Sequence, residues 1–214
     1  MNSISHKTIP FVANHKDNIH CVNAVFRMVH HYFFGKDLSW KKIDTLTKTI
    51  SEKATWTFIG EMEFAKKGLN VLNIEPVDYK KLYEEGIGYL KKVVGEETAN
   101  YYRDKSNITS VLRYIPEYLQ CVRHETRRAS IKEIIRFLKT GCLVGAEVNS
   151  GILNRKAGFD LHFVLLYDVV GKHIILHDPG LPPIQSRKVT IKEFENCFHY
   201  PGANGGITVF CREK

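Results

Sequence analysis

Cys21, His162 and the pair His177-Asp178 are the residues of this chain whose types and settings could do covalent chemistry. Cys21 sits where a polar turn, Asn14-His15-Lys16-Asp17-Asn18-Ile19-His20, gives way to a strongly apolar run. Far downstream His162 opens an apolar strand, and the hairpin partner of that strand ends in His177-Asp178-Pro179. A thiol in the first turn of a helix feels the positive end of the helix dipole. With an imidazolium nearby, such thiols fall from the usual ~8.5 to between ~3.5 and ~7.5 in known cases. Thiol, imidazole and carboxylate together are the parts of a Cys-His-Asp site for attack on a carbonyl. Taken alone, a cysteine is more often a small buried hydrophobe, a reading that suits Cys142 and Cys211 inside strands.

The elements that must position these groups follow from periodicity. Val22, Val25, Phe26, Val29 and Phe33 recur at helical spacing, with Ala24, Met28 and Tyr32 widening the stripe, so a core helix runs from Val22 to Phe34. Further helices are expected over Ser39–Leu46 and Phe58–Lys67, followed by a strand at Asn70–Ile74. Residues 78–128 read as a helical insertion, with helices near Tyr79–Val94, Glu96–Asp104 and Thr109–Leu119. Its Tyr101, Tyr102, Tyr114 and Tyr118 either pack against the core or shape a substrate groove. Capping boxes Ser130-x-x-Glu133 and Thr190-x-x-Glu193 open two more helices. Strands are expected at Cys142–Val148, His162–Val170, His173–Asp178 and Gly206–Phe210, with a polar loop from Asn149 to Asp160. Helices first and strands last make this an α+β chain, expected to be one domain over residues 1–214.

Strand alternation leaves the carboxylate open. A two-residue Gly171-Lys172 turn pairs Val170 with His173 and puts His177 on the face of His162, whereas a longer turn or one bulge puts Asp178 there.

Composition narrows the class. Five cysteines, an odd number without any C-x-x-C pair, suggest neither a disulfide framework nor a zinc knuckle; Cys121 with His124 and Cys197 with His199 are short Cys/His pairs of a spacing common by chance in a chain with ten histidines. The net charge of +8 is spread in dispersed Lys and Arg pairs among acids, so nucleic acid is not the expected partner. No apolar stretch reaches the roughly 18 residues of a membrane span, and Met1–Lys7 lacks the apolar core of a secretory signal. A cytoplasmic protein is therefore expected.

The order of elements resembles the papain-like fold, in particular the bacteriocin-processing, double-glycine leader peptidases and their stand-alone relatives. The resembling pieces are Cys21 with Ala24, Met28 and Tyr32-Phe33, the Gly35–Ser39 turn, Gly68-Leu69-Asn70-Val71, Leu138–Val144, His162–Leu165 and Asp178-Pro179-Gly180. The resemblance implies an N-terminal helical part carrying Cys21 as nucleophile and a C-terminal antiparallel sheet carrying His162 as base and Asp178 as its orienting partner. On that scheme Asp178 holds Nδ1 of His162 and Nε2 faces the thiol. Relatives carry an oxyanion glutamine six residues before the cysteine; here His15 stands there with Asn14 beside it, and either can donate to an oxyanion. The expected activity is cleavage of a peptide or amide bond without metal or cofactor. The alternatives are a thiol acyltransferase and an inactive papain-like module that binds peptide or nucleic acid.

Overall fold

The structure is a computed structural model and describes residues 8–158, 160–200 and 205–212. The stretch Met1–Lys7, read above for its lack of a secretory signal, lies outside them. Helix α1, Cys21–Phe34, buries Val22, Ala24, Val25, Phe26, Met28 and Val29 and stops at Gly35, whose φ of 70° and N–H to His31 O close the last turn. After it come α2 (Trp40–Thr47), α3 (Phe58–Lys66), β1 (Leu69–Glu75), α4 (Tyr79–Glu85), α5 (Ile87–Val94), α6 (Glu96–Lys105), α7 (Ile108–Val111) and α8 (Ile115–Cys121). The second half holds β2 (Arg123–Thr126), α9 (Ile131–Lys139), β3 (Leu143–Asn149), α10 (Ser150–Leu153), β4 (Leu161–Val170), β5 (His173–Asp178), β6 (Ile184–Thr190), α11 (Ile191–Phe198) and β7 (Ile207–Arg212).

The strands form one seven-stranded sheet in the order β2-β1-β7-β3-β4-β5-β6, antiparallel except for the β1–β2 pair. Alternation along β4 separates two cores. Phe163 and Leu165 join the cluster of α1, α3 and the inserted helices, while Val164 and Leu166 meet Ile134 and Leu138 of α9 and Phe194 and Phe198 of α11. Both capping boxes form as the sequence suggests. The helix expected over Tyr79–Val94 is two, because Gly86, at φ 62° and ψ −145°, breaks the helical path between α4 and α5. Three elements are unforeseen in the sequence. Within the expected Asn149–Asp160 loop, Ser150–Leu153 winds into the short helix α10, capped by Asn149 Oδ1 on the Gly151 and Ile152 N–H groups. The other two, β2 and β6, are the sheet's edges, and their polar, largely exposed residues carry no apolar alternation.

The hairpin that carries the histidine and the aspartate resolves the open question of register. Val170 pairs with His173 around a two-residue turn, and a bulge at Tyr167 then shifts the ladder so that Leu166 faces Leu176 and Leu165 faces His177. One extra residue flips every later side chain of β5, which brings Asp178 to the side His162 shares.

Cysteine pairing differs from expectation. Cys142 and Cys211 are joined by a disulfide across β3 and β7. Leu143 pairs with Phe210, so the two cysteines fall opposite one another, although 69 residues separate them in sequence. Reading them as separate packing residues missed this, since only the insertion of β7 between β1 and β3 brings them together. Among the described residues no helix is long and apolar enough to cross a membrane.

Candidate active site

Cys21 is the first residue of α1, and it is only partly buried. The first helical hydrogen bond is Ala24 N–H to His20 O, 2.8 Å, so the amides of Cys21, Val22 and Asn23 lie ahead of the ladder and point toward the helix entrance. His162 stands at the start of β4, 8% exposed, and shares a cleft with Cys21. Its Nε2 lies 2.8 Å from Oδ1 of Asp178. The expectation had the ring the other way round; with Nε2 engaged by Asp178, Nδ1 is the nitrogen left for the thiol.

Asp178 is 2% exposed and fully engaged. Its Oδ1 also accepts the Gly180 N–H at 3.0 Å, and Oδ2 accepts from Arg187 Nη1 at 2.7 Å. Arg187, on edge strand β6, is itself tied to Asn154 Oδ1 at 2.7 Å and to Leu153 O. Sequence reasoning missed Arg187 altogether, for β6 was not foreseen. The nearness of Gly180 also has a reason: a Cβ there would sit 3.0 Å from Asp178 Oδ1 and 3.3 Å from His162 Nε2.

Electrostatics follow from this packing. Burial pushes the His162 imidazole down, but the hydrogen bonds of Asp178 and Cys21, and their charges, outweigh it and raise it from 6.5 to about 10. Burial also opposes the Asp178 carboxylate, yet the hydrogen bond and charge of His162, with Gly180 and Arg187, hold it below its ordinary value. Both shifts favour the protonated imidazole at this position, between the Asp178 carboxylate and the Cys21 sulfur. His177 takes no part. Its Nδ1 accepts from Ser186 N–H at 3.0 Å and its Nε2 meets Ile9 O at 3.1 Å, so it pins the N-terminal segment instead.

The cleft beside Cys21 and His162, about 90 Å³, is walled by Trp56, Tyr101 and Tyr102 and also reaches Glu75 and Glu147. Two of the four tyrosines considered for a groove therefore line it. Tyr118 is buried in the core with its hydroxyl donating to Glu61 Oε2 at 3.1 Å, and Tyr114 stacks with Lys48 and Arg113 at the surface.

The two residues considered for the oxyanion part company. Asn14 is buried; its Oδ1 accepts the N–H groups of His15 (2.8 Å) and His20 (3.0 Å), and its Nδ2 donates to Asn18 Oδ1 at 3.2 Å. The backbone N–H of Asn14 reaches Pro179 O at 2.7 Å, tying the turn before Cys21 to the one after Asp178. His15 faces outward, 45% exposed at its side chain, with Nδ1 3.0 Å from Asp17.

The short Cys/His pairs do not assemble as metal ligands. Both His124 nitrogens meet oxygens, of Asn73 and Val77, at 2.8 Å, and Cys197 donates to Phe194 O with burial pushing its thiol up to about 12. A His/Asp group that can hold an ion does occur, on the turn before Cys21, where His15, Asp17 and His20 converge.

No family model matches the sequence and no curated protein is similar to it. Solved structures are. The chain is 14% identical to the peptidase domain of Streptococcus ComA, a bi-functional ABC transporter involved in a quorum-sensing pathway, with a TM-score of 0.50 over 96% of this chain and 99% of that one. It is 12% identical to a C39-like peptidase from Bacillus anthracis, with a TM-score of 0.56 over 97% of this chain and 96% of the other. At these identities the likeness is one of architecture: the chain has the α+β, papain-like fold of these peptidase domains.

Proposed function

We propose that the chain is a thiol hydrolase that cleaves a peptide or amide bond through Cys21, His162 and Asp178. The observation that carries this reading is the buried His162, held by Asp178 on Nε2 and interacting with Cys21 at a helix start beside an open cleft. Cys21 passes its thiol proton to His162, the thiolate sulfur adds to the carbonyl carbon, and the tetrahedral oxyanion is met by the Cys21 N–H and a second donor. Collapse expels the amine, which takes the proton from the His162 imidazolium, and leaves a thioester on Cys21. Water, giving a proton to His162, adds to the thioester carbon, and collapse breaks the C–S bond, expelling the Cys21 thiolate and releasing the acid. Asp178 stays ionised throughout and keeps the ring in place, as Arg187 and Gly180 keep Asp178 in place. For the second oxyanion donor the packing favours Asn14 over the outward-facing His15: Asn14 is buried, its Oδ1 accepts the His20 N–H that directly precedes Cys21, and its Nδ2 carries a second hydrogen beyond the one given to Asn18 Oδ1.

A peptide is the substrate class that fits the fold relatives' description as peptidases. The Cys142–Cys211 bond weighs against the cytoplasm as the place of action, since such bonds persist mainly in oxidising compartments.

The test is a mixed peptide library incubated with the protein and read by mass spectrometry, with Cys21→Ala alongside. Products that appear only with the intact thiol support hydrolysis. A product joined to an added amine would instead identify an acyltransferase, and peptide retention without any product would identify a binding module.

A further inference from the structure

We propose that His15, Asp17 and His20 form a binding site for a divalent transition metal of the zinc class on the turn that leads into Cys21. One ligand atom from each of the three lies within 4.8 Å of the others. Around a tetrahedral zinc, with bonds of about 2.0–2.2 Å, neighbouring ligand atoms stand about 3.3–3.6 Å apart. Small side-chain rotations thus suffice to gather all three on one ion. Two imidazoles and one carboxylate suit zinc and its neighbours rather than calcium or magnesium, which prefer all-oxygen shells. Three protein ligands also leave a fourth position for water or a substrate atom.

The frame that holds these ligands is built from other groups. Asn14 Oδ1 accepts the backbone N–H groups of His15 and His20, at 2.8 and 3.0 Å, so the two histidines are fixed to a single buried amide. Asn18, at φ 61°, turns the chain between them, and its N–H returns to His15 O at 2.9 Å. Trp40 packs edge-on against both imidazoles, with centroids 5.5 and 5.6 Å away.

An outer carboxylate is also in place. Asp44 Oδ1 lies 3.6 Å from His20 Nε2, on the far side of the ring from Nδ1, and Asp44 is held in turn by Asn23 Nδ2 at 2.7 Å. A carboxylate behind a ligating imidazole fixes its tautomer and strengthens its donor nitrogen, the arrangement usual in metal sites. Without an ion, Asp17 bridges the two Nδ1 atoms at 3.0 and 2.9 Å, which needs a proton on each. On binding, the ion takes the place of those Nδ1 protons. Each ring then carries its hydrogen on Nε2, where for His20 it points toward Asp44. Occupancy would stiffen the entrance of α1 next to Cys21. The site stands on its own residues and does not depend on the hydrolase reading.

The experiment is a Zn²⁺ titration of the full chain by calorimetry, run in Cys21→Ser so that the thiol cannot serve as ligand. One ion per chain is expected there. Affinity should fall at least tenfold in His15→Ala and in Asp17→Asn on that background, and stay unchanged in His31→Ala. Asp44→Asn should cost about tenfold, the usual scale for an outer-shell partner. Co²⁺ substitution gives a second readout: absorption of a four-coordinate nitrogen and oxygen site, without a thiolate charge-transfer band even in the wild type. Loss of all binding in Cys21→Ser, or equal binding by wild type, His15→Ala and Asp17→Asn, would overturn the proposal.

Discussion

At the scale of single residues, the site turns on how tightly one carboxylate is held. Asp178 Oδ1 lies against His162 and accepts from Gly180, and Oδ2 accepts from Arg187; against the burial that lowers it, this carboxylate, with Cys21, raises the His162 imidazole from 6.5 to about 10. His15 stands at the position where the resemblance to leader peptidases implies an oxyanion donor, but its side chain faces outward, and Asn14 is the residue packed against the amide before Cys21. Loss of one oxyanion donor costs ~10²- to 10³-fold in turnover. We expect Asn14→Ala to show a loss of that order on any substrate that Cys21→Ala cannot process, and His15→Ala to stay within a few-fold of wild type. The opposite ranking would return the role to His15.

Elements set where these residues meet. The packing of α3 on α1 depends on Gly60, where an added Cβ would lie 2.1 Å from the Phe26 ring, and α1 carries Cys21. Gly60→Ala should therefore destabilise by about 1–3 kcal/mol, as overpacked cores do. Gly88 in α5 meets nothing within 4 Å, so Gly88→Ala should be neutral or raise stability by up to about 1 kcal/mol through helix propensity. Thermal melts of the pair, side by side, check both signs; a Gly60→Ala protein as stable as wild type would contradict the packing.

The same scale explains what could be read from the sequence. α1 and β4 were legible because their apolar residues follow one period, and α9 and α11 because a capping box marks their starts. β2 and β6 are edge strands with one face or both in water, so their residues carry no such pattern, and Arg187 was invisible with them. The bulge at Tyr167 has no residue signature either, yet it decides whether His177 or Asp178 faces His162.

At the scale of the whole molecule, a chain of net charge +8 buries carboxylates along its central sheet. Glu61 accepts from Thr208 at 2.5 Å, from Asn73 at 3.1 Å and from Tyr118 at 3.1 Å, and Glu75 accepts from Tyr79 at 2.7 Å. Burial first, then the charge of Glu61, raises Glu75 from 4.5 to about 8. A carboxyl raised in the folded state contributes fully below its unfolded value, and that contribution is lost as pH rises through the folded one. Stability should thus decline from about pH 5 to about pH 8, whereas Glu75→Gln, which keeps the acceptor for Tyr79, should decline less over the same range. Melting curves at both pH values measure the difference. Parallel pH dependence in the two proteins would mean that Glu75 is ionised throughout.

The central claim is that Cys21 is a nucleophile served by His162, and the most direct measurement is the rate at which each free thiol takes up iodoacetamide in the native protein, resolved by peptide mass. Cys21 should react first among Cys21, Cys121 and Cys197, and His162→Ala should slow it at least tenfold while leaving Cys121 unchanged. Faster labelling of Cys121, or a Cys21 rate indifferent to His162, would contradict the account.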